Sequence, residues 1–270
     1  MGAAIHAGEK LKNDLTTSLN RDEFMVHYQP QVQIGTWRIA GIEALVRWRH
    51  PERGFVRADD FVPTAVKNGT IEALGRWVFH TALTQLRDWQ SIWSPPMTMA
   101  FNLSGPELMS GDIVESIAHA LSDSGVDPAF VEVECDDKVL SSIETAKIRP
   151  VLERLAALDL RIAIDDFGAG AGSLMQLRRL PISTVKIDRS LVDGIVTNAE
   201  DEALVKAVAS LGRSTRYRVV AEGVETDQQL GFLRDAGCNY LQGFYFGPAV
   251  PGDLMTSRLE EQRDRTLVAV

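Results

Sequence analysis

The chain begins with a polar stretch and then alternates between short apolar runs and longer segments of helical periodicity. Residues 1–20 are polar and weakly helical, and we interpret them as an N-terminal helix or the remnant of a linker. Residues 24–34 and 38–48 are rich in residues that favour strands, and the turn residues 35–37 lie between them. This arrangement predicts a β-hairpin at the start of the folded domain.

Helical periodicity follows the hairpin and then recurs between short apolar runs. Helices are predicted from Asp59 and over residues 71–89. Six further strands are predicted, at residues 97–103, 130–135, 160–165, 184–187, 217–221 and 240–242. Each of them precedes a predicted helix, near residues 113–121, 148–158, 173–180, 202–211, 227–236 and 254–265. This alternation predicts a parallel α/β architecture, and a count near eight strands predicts a (βα)8 barrel of the TIM type. Because no interior linker is visible, residues 21–270 form one predicted domain.

The composition is that of a soluble globular protein, with 45% hydrophobic and 24% charged residues among 270. The net charge of −9 argues against binding of a nucleic-acid polymer, because a phosphate backbone needs a basic protein face. A small phosphate ligand stays possible for an acidic chain if metal ions lie between the two.

The cysteines, the histidines and the lengths of the apolar runs argue against several kinds of site and of cellular location. The two cysteines have no metal-ligand spacing and the five histidines form no HExxH cluster, which argues against a zinc site and a disulfide framework. No apolar run reaches membrane-spanning length, and the N-terminus lacks the apolar region of a signal peptide. We therefore expect a cytoplasmic domain without membrane contact, while a membrane anchor in a longer parent protein stays open.

Two adjacent carboxylates, Asp165 and Asp166, end the apolar run in the stretch RIAIDDFGAG. A glycine-containing turn follows, so the run reads as a buried strand that carries two negative charges at its carboxyl end. Neighbouring carboxylates repel each other unless cations lie beside them or one takes up a proton. A solvated pair of aspartates in a loop would be the better interpretation if this strand were the only one of its kind.

Oxygen-bearing side chains stand at the carboxyl ends of most other predicted strands as well. They include Glu43, Asn102, Glu134, Glu222 with Glu225, and Gln242. In a barrel these strand ends meet at the face where active sites lie. Oxygen ligands without histidine or cysteine suit Mg²⁺ or Mn²⁺. The number of carboxylates suggests two ions with Asp165 between them, an arrangement typical of phosphate-ester hydrolysis.

Two cationic residues, Lys186 and Arg47, belong to the same set of strand ends. Lys186 could contact an attacking water or a phosphoryl oxygen, and Arg47 could contact a phosphate. Taken singly, Lys186 could equally serve only to neutralise Asp165, and Arg47 could pair with a neighbouring acid. The residues alone leave both alternatives open.

Seven ordered motifs carry a resemblance to a known family. They are EALVR, FNLS, VEVE, DDFGAG, KIDRS, AEGVET and QGFYFG, in this order, and the resemblance covers about residues 24–251. Together they resemble the EAL-domain family of cyclic di-GMP phosphodiesterases. The resemblance implies a modified (βα)8 barrel whose first strand is antiparallel to the others, which agrees with the predicted hairpin. It also implies a homodimer. Residues 1–20 suggest an upstream sensor or cyclase-like domain in the full-length protein.

The resemblance also implies roles for individual residues. Metal ligands would be Glu43, Asn102, Glu134, Asp165, Asp166, Glu222 and Glu225. Lys186 would lie beside the catalytic water, with Glu43 and Glu222 counted among the catalytic groups as well. Substrate contacts and orientation would come from Gln29, Arg47, Asp188 and Gln242.

The chain departs from the family pattern around the loop after the fifth strand. The family usually has Thr-Glu-Ser where this chain has Asp136-Asp137-Lys138, and Asp137 is one methylene shorter than the glutamate thought to support that loop. Where the family usually has Tyr-Ser-Ser-Leu, this chain has Ala171-Gly172-Ser173-Leu174, so we expect a looser loop.

The favoured function is metal-dependent hydrolysis of cyclic di-GMP to linear pGpG, which lowers the level of the second messenger. The altered loop suggests weak intrinsic activity. The alternatives are a receptor that binds cyclic di-GMP without cutting it and a signalling module in which the barrel is a scaffold. Because the chain retains Glu43, Asp165 and Lys186, we favour the catalytic function over the receptor and the scaffold.

Overall fold

The computed structural model describes residues 14–15, 17–19, 21–92, 97–141, 145–169, 177–215 and 217–268, with side chains up to residue 264. The strands are β1 (Phe24–Gln33), β2 (Arg38–His50), β3 (Gly54–Val56), β4 (Thr98–Asn102), β5 (Val131–Asp136), β6 (Arg161–Phe167), β7 (Thr184–Ile187), β8 (Arg218–Ala221), β9 (Tyr240–Leu241) and β10 (Val250–Pro251). The helices are α1 (Ala58–Asn68), α2 (Ile71–Ile92), α3 (Gly105–Met109), α4 (Ile113–Ser124), α5 (Asp137–Leu140), α6 (Thr145–Ala156), α7 (Arg189–Gly194), α8 (Ala199–Thr215), α9 (Asp227–Ala236) and α10 (Gly252–Val268). A 3₁₀ turn (Pro128–Phe130) precedes β5.

Eight of the described strands close into a barrel in the order β1-β9-β8-β7-β6-β5-β4-β2, with β2 pairing back to β1. The pairs from β2–β4 around to β8–β9 are parallel. β1 is antiparallel to both of its neighbours in the barrel, β2 and β9. The predicted barrel with an antiparallel first strand is therefore confirmed.

The predicted hairpin joins β1 to β2 through a tight turn. Gly35 and Trp37 adopt positive φ angles of 95° and 56° there, which glycine accommodates easily and tryptophan does not. The antiparallel register places Gln29 opposite Glu43 and Met25 opposite Arg47. The hairpin thereby brings the predicted residues Gln29 and Glu43 to the same level of the barrel.

The helix α1 follows the hairpin and has clear terminal signals. Asp59 and Asp60 lie in its first turn, where the helix dipole favours negative charge, and Gly69 ends it with a φ of 78°. Its buried residues Phe61 and Ala65 belong to an apolar cluster with Leu15, Phe24, Trp48, Ile71 and Leu74. Leu15, and Leu19 beside it, therefore pack against the same structural unit as α1.

Several short elements were not predicted, namely β3, the 3₁₀ turn, α3, α5, α7 and β10. Elements of two to six residues show too little periodicity to be recognised from apolar spacing. β6 also extends beyond its predicted end at Asp165 to Phe167, across a register shift between Ile164 and Phe167. Residues 173–176 of the predicted helix over residues 173–180 lie outside the described residues. Of the remainder, residue 177 is helical and residues 178–180 form a turn and a bend.

The apolar core lies between the outer face of the barrel and the surrounding helices. Large fully buried side chains include Phe101 on β4 and Leu83 and Leu86 on α2. Within the part of the chain that the structure describes, no helix is both long and apolar enough to cross a membrane. The barrel interior is different from this core, because many of its side chains are polar.

Candidate active site

The ammonium group of Lys186 lies at the centre of the barrel mouth, completely buried. Its Nζ atom is 2.7 Å from Glu134, 2.8 Å from Glu222, 3.0 Å from Asp165 and 3.4 Å from Glu43. These four carboxylates come from four different strands or strand ends, which meet only because the barrel is closed. The structure thus brings five of the predicted site residues into one cluster.

The cluster holds more negative than positive charge, and the pKa values reflect this imbalance. Burial alone would lower the pKa of Lys186, but the surrounding carboxylates outweigh it and hold that pKa well above its usual range. Burial and the charge of Glu43 raise the pKa of Glu134 well above its usual range. Burial also raises the pKa of Glu222, to about 8, against the opposing attraction of Lys186. One ammonium is therefore insufficient to compensate the carboxylates around it.

Glu43 accepts hydrogen bonds from two side-chain amides of the barrel mouth. Asn102 Nδ2 donates to Glu43 Oε1 at 2.8 Å, and Gln242 Nε2 donates to Glu43 Oε2 at 2.6 Å. Gln242 Nε2 also lies 3.3 Å from Gln29 Oε1. Burial pushes the pKa of Glu43 upward, but Lys186 and these donors outweigh burial and lower it. Glu43 is thus held in its ionised form by its neighbours.

Asp165, Asp166 and Glu222 each place one carboxylate oxygen within 4.8 Å of the others. Asp166 adopts a positive φ of 54°, which is uncommon for a residue with a side chain and coincides with the irregularity in β6. Burial and the charges of Asp165 and Asp188 raise the pKa of Asp166 to about 6. The backbone at this point therefore accepts an unfavourable conformation and brings like charges together.

This donor set fits a divalent metal ion. Glu134 Oε1 and Gln242 Oε1 are buried and accept no hydrogen bond from the described residues. Buried polar atoms almost always have a partner, and carboxylate and amide oxygens are ligands that Mg²⁺ and Mn²⁺ prefer. A cation would also relieve the repulsion among the five carboxylates Glu43, Glu134, Asp165, Asp166 and Glu222. The acidic cluster could therefore hold a metal ion.

We expect binding of Mn²⁺ to release protons from the protein at neutral pH. Because the pKa of Glu222 is raised to about 8, this carboxyl is largely protonated at pH 7 without metal, and a bound cation would displace its proton. Apparent affinity for Mn²⁺ should then rise between about pH 6 and pH 8. Calorimetric titration in two buffers of different ionisation enthalpy measures the release directly. Equal heats in both buffers would contradict the expectation.

Other predicted residues lie outside the Lys186 cluster. Glu225 forms an ion pair with Arg189 at 2.9 Å and is exposed, so the structure does not bring it to the acidic group. Asp188 caps α7 by accepting from the Ser190 amide at 2.8 Å. Arg47 is half-buried, and its Nη1 donates to the Val46 carbonyl at 3.1 Å.

Asp137 begins α5 and is buried, and its Oδ1 accepts from Ser141 Oγ at 3.1 Å. The substituted positions Ala171 and Gly172, on which the expectation of a looser loop depends, lie outside the described residues. That expectation stays a prediction.

A cavity of about 500 Å³ opens from the acidic cluster and extends beneath α1. Asp165, Asp166 and Asn102 line one end, and the walls are largely apolar side chains of α1 and α2: Val62, Pro63, Leu74, Val78 and Phe79. None of these wall residues was predicted to belong to the site. The amphipathic pattern of α1 showed only that one face is apolar, because which partner covers that face depends on tertiary contacts.

Comparisons with known proteins agree with this geometry. The family model described as "EAL domain" matches residues 12–249. The bifunctional diguanylate cyclase/cyclic di-GMP phosphodiesterase MucR of Pseudomonas aeruginosa is 37% identical over 253 residues, which are 94% of this chain and 37% of MucR. The cyclic di-GMP phosphodiesterase NbdA of the same organism is 36% identical over 243 residues, which are 90% of this chain and 31% of NbdA.

A solved structure gives the same result for the fold. The structure described as "PaMucR Phosphodiesterase, c-di-GMP complex" superimposes with a TM-score of 0.87 and 36% identity, covering 91% of this chain and 99% of that chain. The chain spans little more than a third of the length of MucR and less than a third of NbdA. The family match over most of the sequence and the closed barrel with its acidic mouth establish that the chain belongs to the EAL domain family.

Proposed function

We propose that this domain hydrolyses one phosphodiester bond of cyclic di-GMP to give linear pGpG, and that it requires two divalent metal ions, Mg²⁺ or Mn²⁺. The observation that carries the proposal is the buried Lys186 with four carboxylates within 3.4 Å and Asp166 beside them. Further support comes from MucR and NbdA, whose names state that they are cyclic di-GMP phosphodiesterases. A scaffold without catalytic function would have no use for this concentration of buried charge.

The residues that would hold the metal ions are those with oxygen atoms at the barrel mouth. They are Glu43, Asn102, Glu134, Asp165, Asp166 and Glu222. When bound, two such ions lower the pKa of a coordinated water and take up charge on a phosphate. Glu225 would contribute only through a water or after leaving Arg189, since that ion pair now engages its carboxylate.

Lys186 has a positioning and an electrostatic task in this proposal. Its ammonium group holds Glu134, Glu222 and Asp165 at hydrogen-bonding or ion-pair distance, so the carboxylates stay gathered in spite of their repulsion. Its raised pKa keeps it charged at neutral pH. A permanent positive charge at this place favours the negative charge that develops on a phosphate during hydrolysis.

Substrate binding would use the cavity beneath α1 and the residues at its opening. The cavity of about 500 Å³ has mainly apolar walls, which suits a flat aromatic base. Arg47 has further N–H groups besides the one that donates to Val46, and a guanidinium pairs well with a phosphate. Gln29 and Gln242 would orient Glu43 and the substrate together, while Asp188 would orient Asp166.

The second candidate is a receptor that binds cyclic di-GMP without cutting it. It is favoured by Asp137, whose shorter side chain accepts a hydrogen bond from Ser141 at the end of α5, and by Ala171 and Gly172 in the loop after β6. A homodimer, an upstream sensor or cyclase-like domain, and a cytoplasmic location of this domain stay predictions. The name of MucR includes a cyclase activity, which supports the expectation of a multidomain parent.

The proposal is tested by incubating purified protein with cyclic di-GMP and Mg²⁺ or Mn²⁺ and separating the nucleotides by chromatography. Formation of pGpG that stops on addition of a chelator supports metal-dependent hydrolysis. Cyclic di-AMP serves as the control substrate, since the proposal expects little product from it. Binding of cyclic di-GMP without pGpG under all of these conditions favours the receptor.

A further inference from the structure

A second set of polar side chains lies inside the barrel, below the Lys186 cluster. Glu132 is completely buried and precedes Glu134 by two residues on β5, so both side chains lie on the same face of the strand. Thr184 is also completely buried and precedes Lys186 by two residues on β7. Neither Glu132 nor Thr184 has a role in the reaction proposed above.

Glu132 connects three strands of the barrel through one carboxylate. Thr184 Oγ1 donates a hydrogen bond to Glu132 Oε2. Arg218 Nη1 on β8 lies 3.4 Å from the same oxygen. The guanidinium of Arg218 also lies 4.2 Å from the centre of the Tyr240 ring on β9. The contacts of Glu132 therefore link β5 to β7 directly and to β8 and β9 through Arg218.

Arg218 extends the connection to the opposite side of the barrel. Its Nη1 lies 3.2 Å from Thr98 Oγ1 on β4, and Thr98 donates to the carbonyl of Ala40 on β2 at 3.3 Å. Gly41 has no Cβ at this level, where one would lie 2.6 Å from Gln31 Oε1 and 2.9 Å from Thr98 Oγ1. The small residue leaves room for the polar side chains that cross the interior.

Stability alone does not explain this buried polar layer. The interior of a (βα)8 barrel is usually filled by branched apolar side chains. A buried ion pair such as Glu132–Arg218 adds little net stability over apolar packing, because both charges lose their hydration. Directional hydrogen bonds between strands do, however, fix how those strands lie relative to one another. Within this layer, Glu132 lies two residues before Glu134 on β5, and Thr184 lies two residues before Lys186 on β7.

We propose that Glu132 is a positioning residue for the metal-binding cluster, acting through Thr184 and Arg218. By holding β7 and β8 against β5, it sets the positions of Lys186 and Glu222 relative to Glu134. This inference rests on the proposed function, since it assigns Glu132 to the same reaction. It differs from a packing role because it requires the hydrogen bond from Thr184 and the charge of the carboxylate.

The test compares Mn²⁺ binding and turnover in the wild type and in Thr184→Val, which keeps the side-chain shape and removes the donor to Glu132. Mn²⁺ binding is measured from the electron paramagnetic resonance signal of the free ion, which does not depend on activity. We expect affinity for Mn²⁺ and kcat each to fall about tenfold, with full binding stoichiometry and little change in KM. Thr184→Ser, which restores the hydroxyl, should recover both.

Thr256→Val is the matched control. It removes a hydroxyl that accepts from Trp89 Nε1 at 2.7 Å, between α10 and α2 and away from the barrel interior. We expect wild-type Mn²⁺ affinity in this control. Wild-type affinity in Thr184→Val, no recovery in Thr184→Ser, or a loss of binding stoichiometry at unchanged affinity would overturn the positioning role.

Failure of the proposed function would give a different experimental result from failure of the role proposed for Glu132. If the wild type binds Mn²⁺ but gives no pGpG, the proposed hydrolysis is contradicted. The Mn²⁺ affinities of the variants would still decide whether Glu132 positions the cluster. A wild type that binds no Mn²⁺ overturns both. If Thr184→Val does not fold, Glu132→Gln replaces it, and wild-type Mn²⁺ affinity in that variant rejects the inference.

Discussion

Glu43→Ala is expected to abolish turnover of cyclic di-GMP while leaving the barrel folded. Glu43 accepts from Asn102 and Gln242 and lies 3.4 Å from Lys186, so its carboxylate is fixed at the centre of the proposed metal site. Loss of a metal ligand removes several kcal/mol of charge stabilisation, and about 1.4 kcal/mol corresponds to tenfold in rate. We therefore expect kcat/KM to fall about a thousandfold or more.

The fold should survive this substitution because it also removes one of the repelling carboxylates around Lys186. The remaining partners Glu134, Asp165 and Glu222 still compensate the ammonium group. Glu153→Ala is a suitable control, since it removes an exposed glutamate that pairs with Arg149 at 2.8 Å on the surface of α6. Kinetics and thermal unfolding are measured for both variants. Turnover near the wild-type rate in Glu43→Ala would refute the metal assignment.

Lys186→Met is expected to have the second-largest effect, on both stability and rate. Removing one partner of a buried ion pair typically costs about 3–5 kcal/mol, because the other charge stays buried without compensation. Here the four carboxylates that contact Lys186 would lose their common cation. Turnover should fall about a hundredfold to a thousandfold, the usual loss for an electrostatic donor.

The loss of stability in Lys186→Met should depend on pH and on metal. Burial already raises the pKa of Glu134 and Glu222, and without the ammonium group these values rise further. A carboxyl with a raised pKa in the folded state stabilises the fold at low pH, and this contribution is lost as pH rises through that pKa. The Tm deficit of the metal-free variant should therefore widen between about pH 5 and pH 8, and Mn²⁺ should recover part of it.

Lys206→Met provides the comparison for this experiment. Lys206 is exposed and pairs with Glu202 at 3.1 Å on α8, so its loss should leave Tm and turnover nearly unchanged. A pH-independent Tm deficit in Lys186→Met, unaffected by Mn²⁺, would show that Lys186 serves packing and not charge compensation.

The sequence predicted the barrel and most of the mouth for identifiable physical reasons. Apolar strands ending in oxygen-bearing residues place Asn102, Glu134 and Asp165 at one end of a parallel sheet. The closure of that sheet into a barrel was harder to predict from the sequence. It requires β1 to lie between β2 and β9, and the residues that pair between β1 and β9 are more than 200 positions apart. Only the turn residues between β1 and β2 gave a local signal for it.

Three other features differed in whether the sequence could reveal them. The helix α3 was missed although Ser104 and Glu107 form a capping box, a pattern that can be read from spacing alone. The ion pair of Glu225 with Arg189 could not be foreseen, because it joins the end of one strand to a helix after another. Glu132 was also out of reach, since the period of two showed that it shares a face with Glu134 but not what it would meet across the barrel.

The proposed hydrolysis of cyclic di-GMP is tested most directly by a single-turnover experiment, with protein in excess over labelled cyclic di-GMP. Mn²⁺ is added to the preformed complex, and bound nucleotide is followed with time. An enzyme converts the bound label completely to pGpG, whereas Glu43→Ala leaves it intact. Bound cyclic di-GMP that stays uncut in the wild type, with Mn²⁺ shown to be bound, would contradict hydrolysis and identify the domain as a receptor.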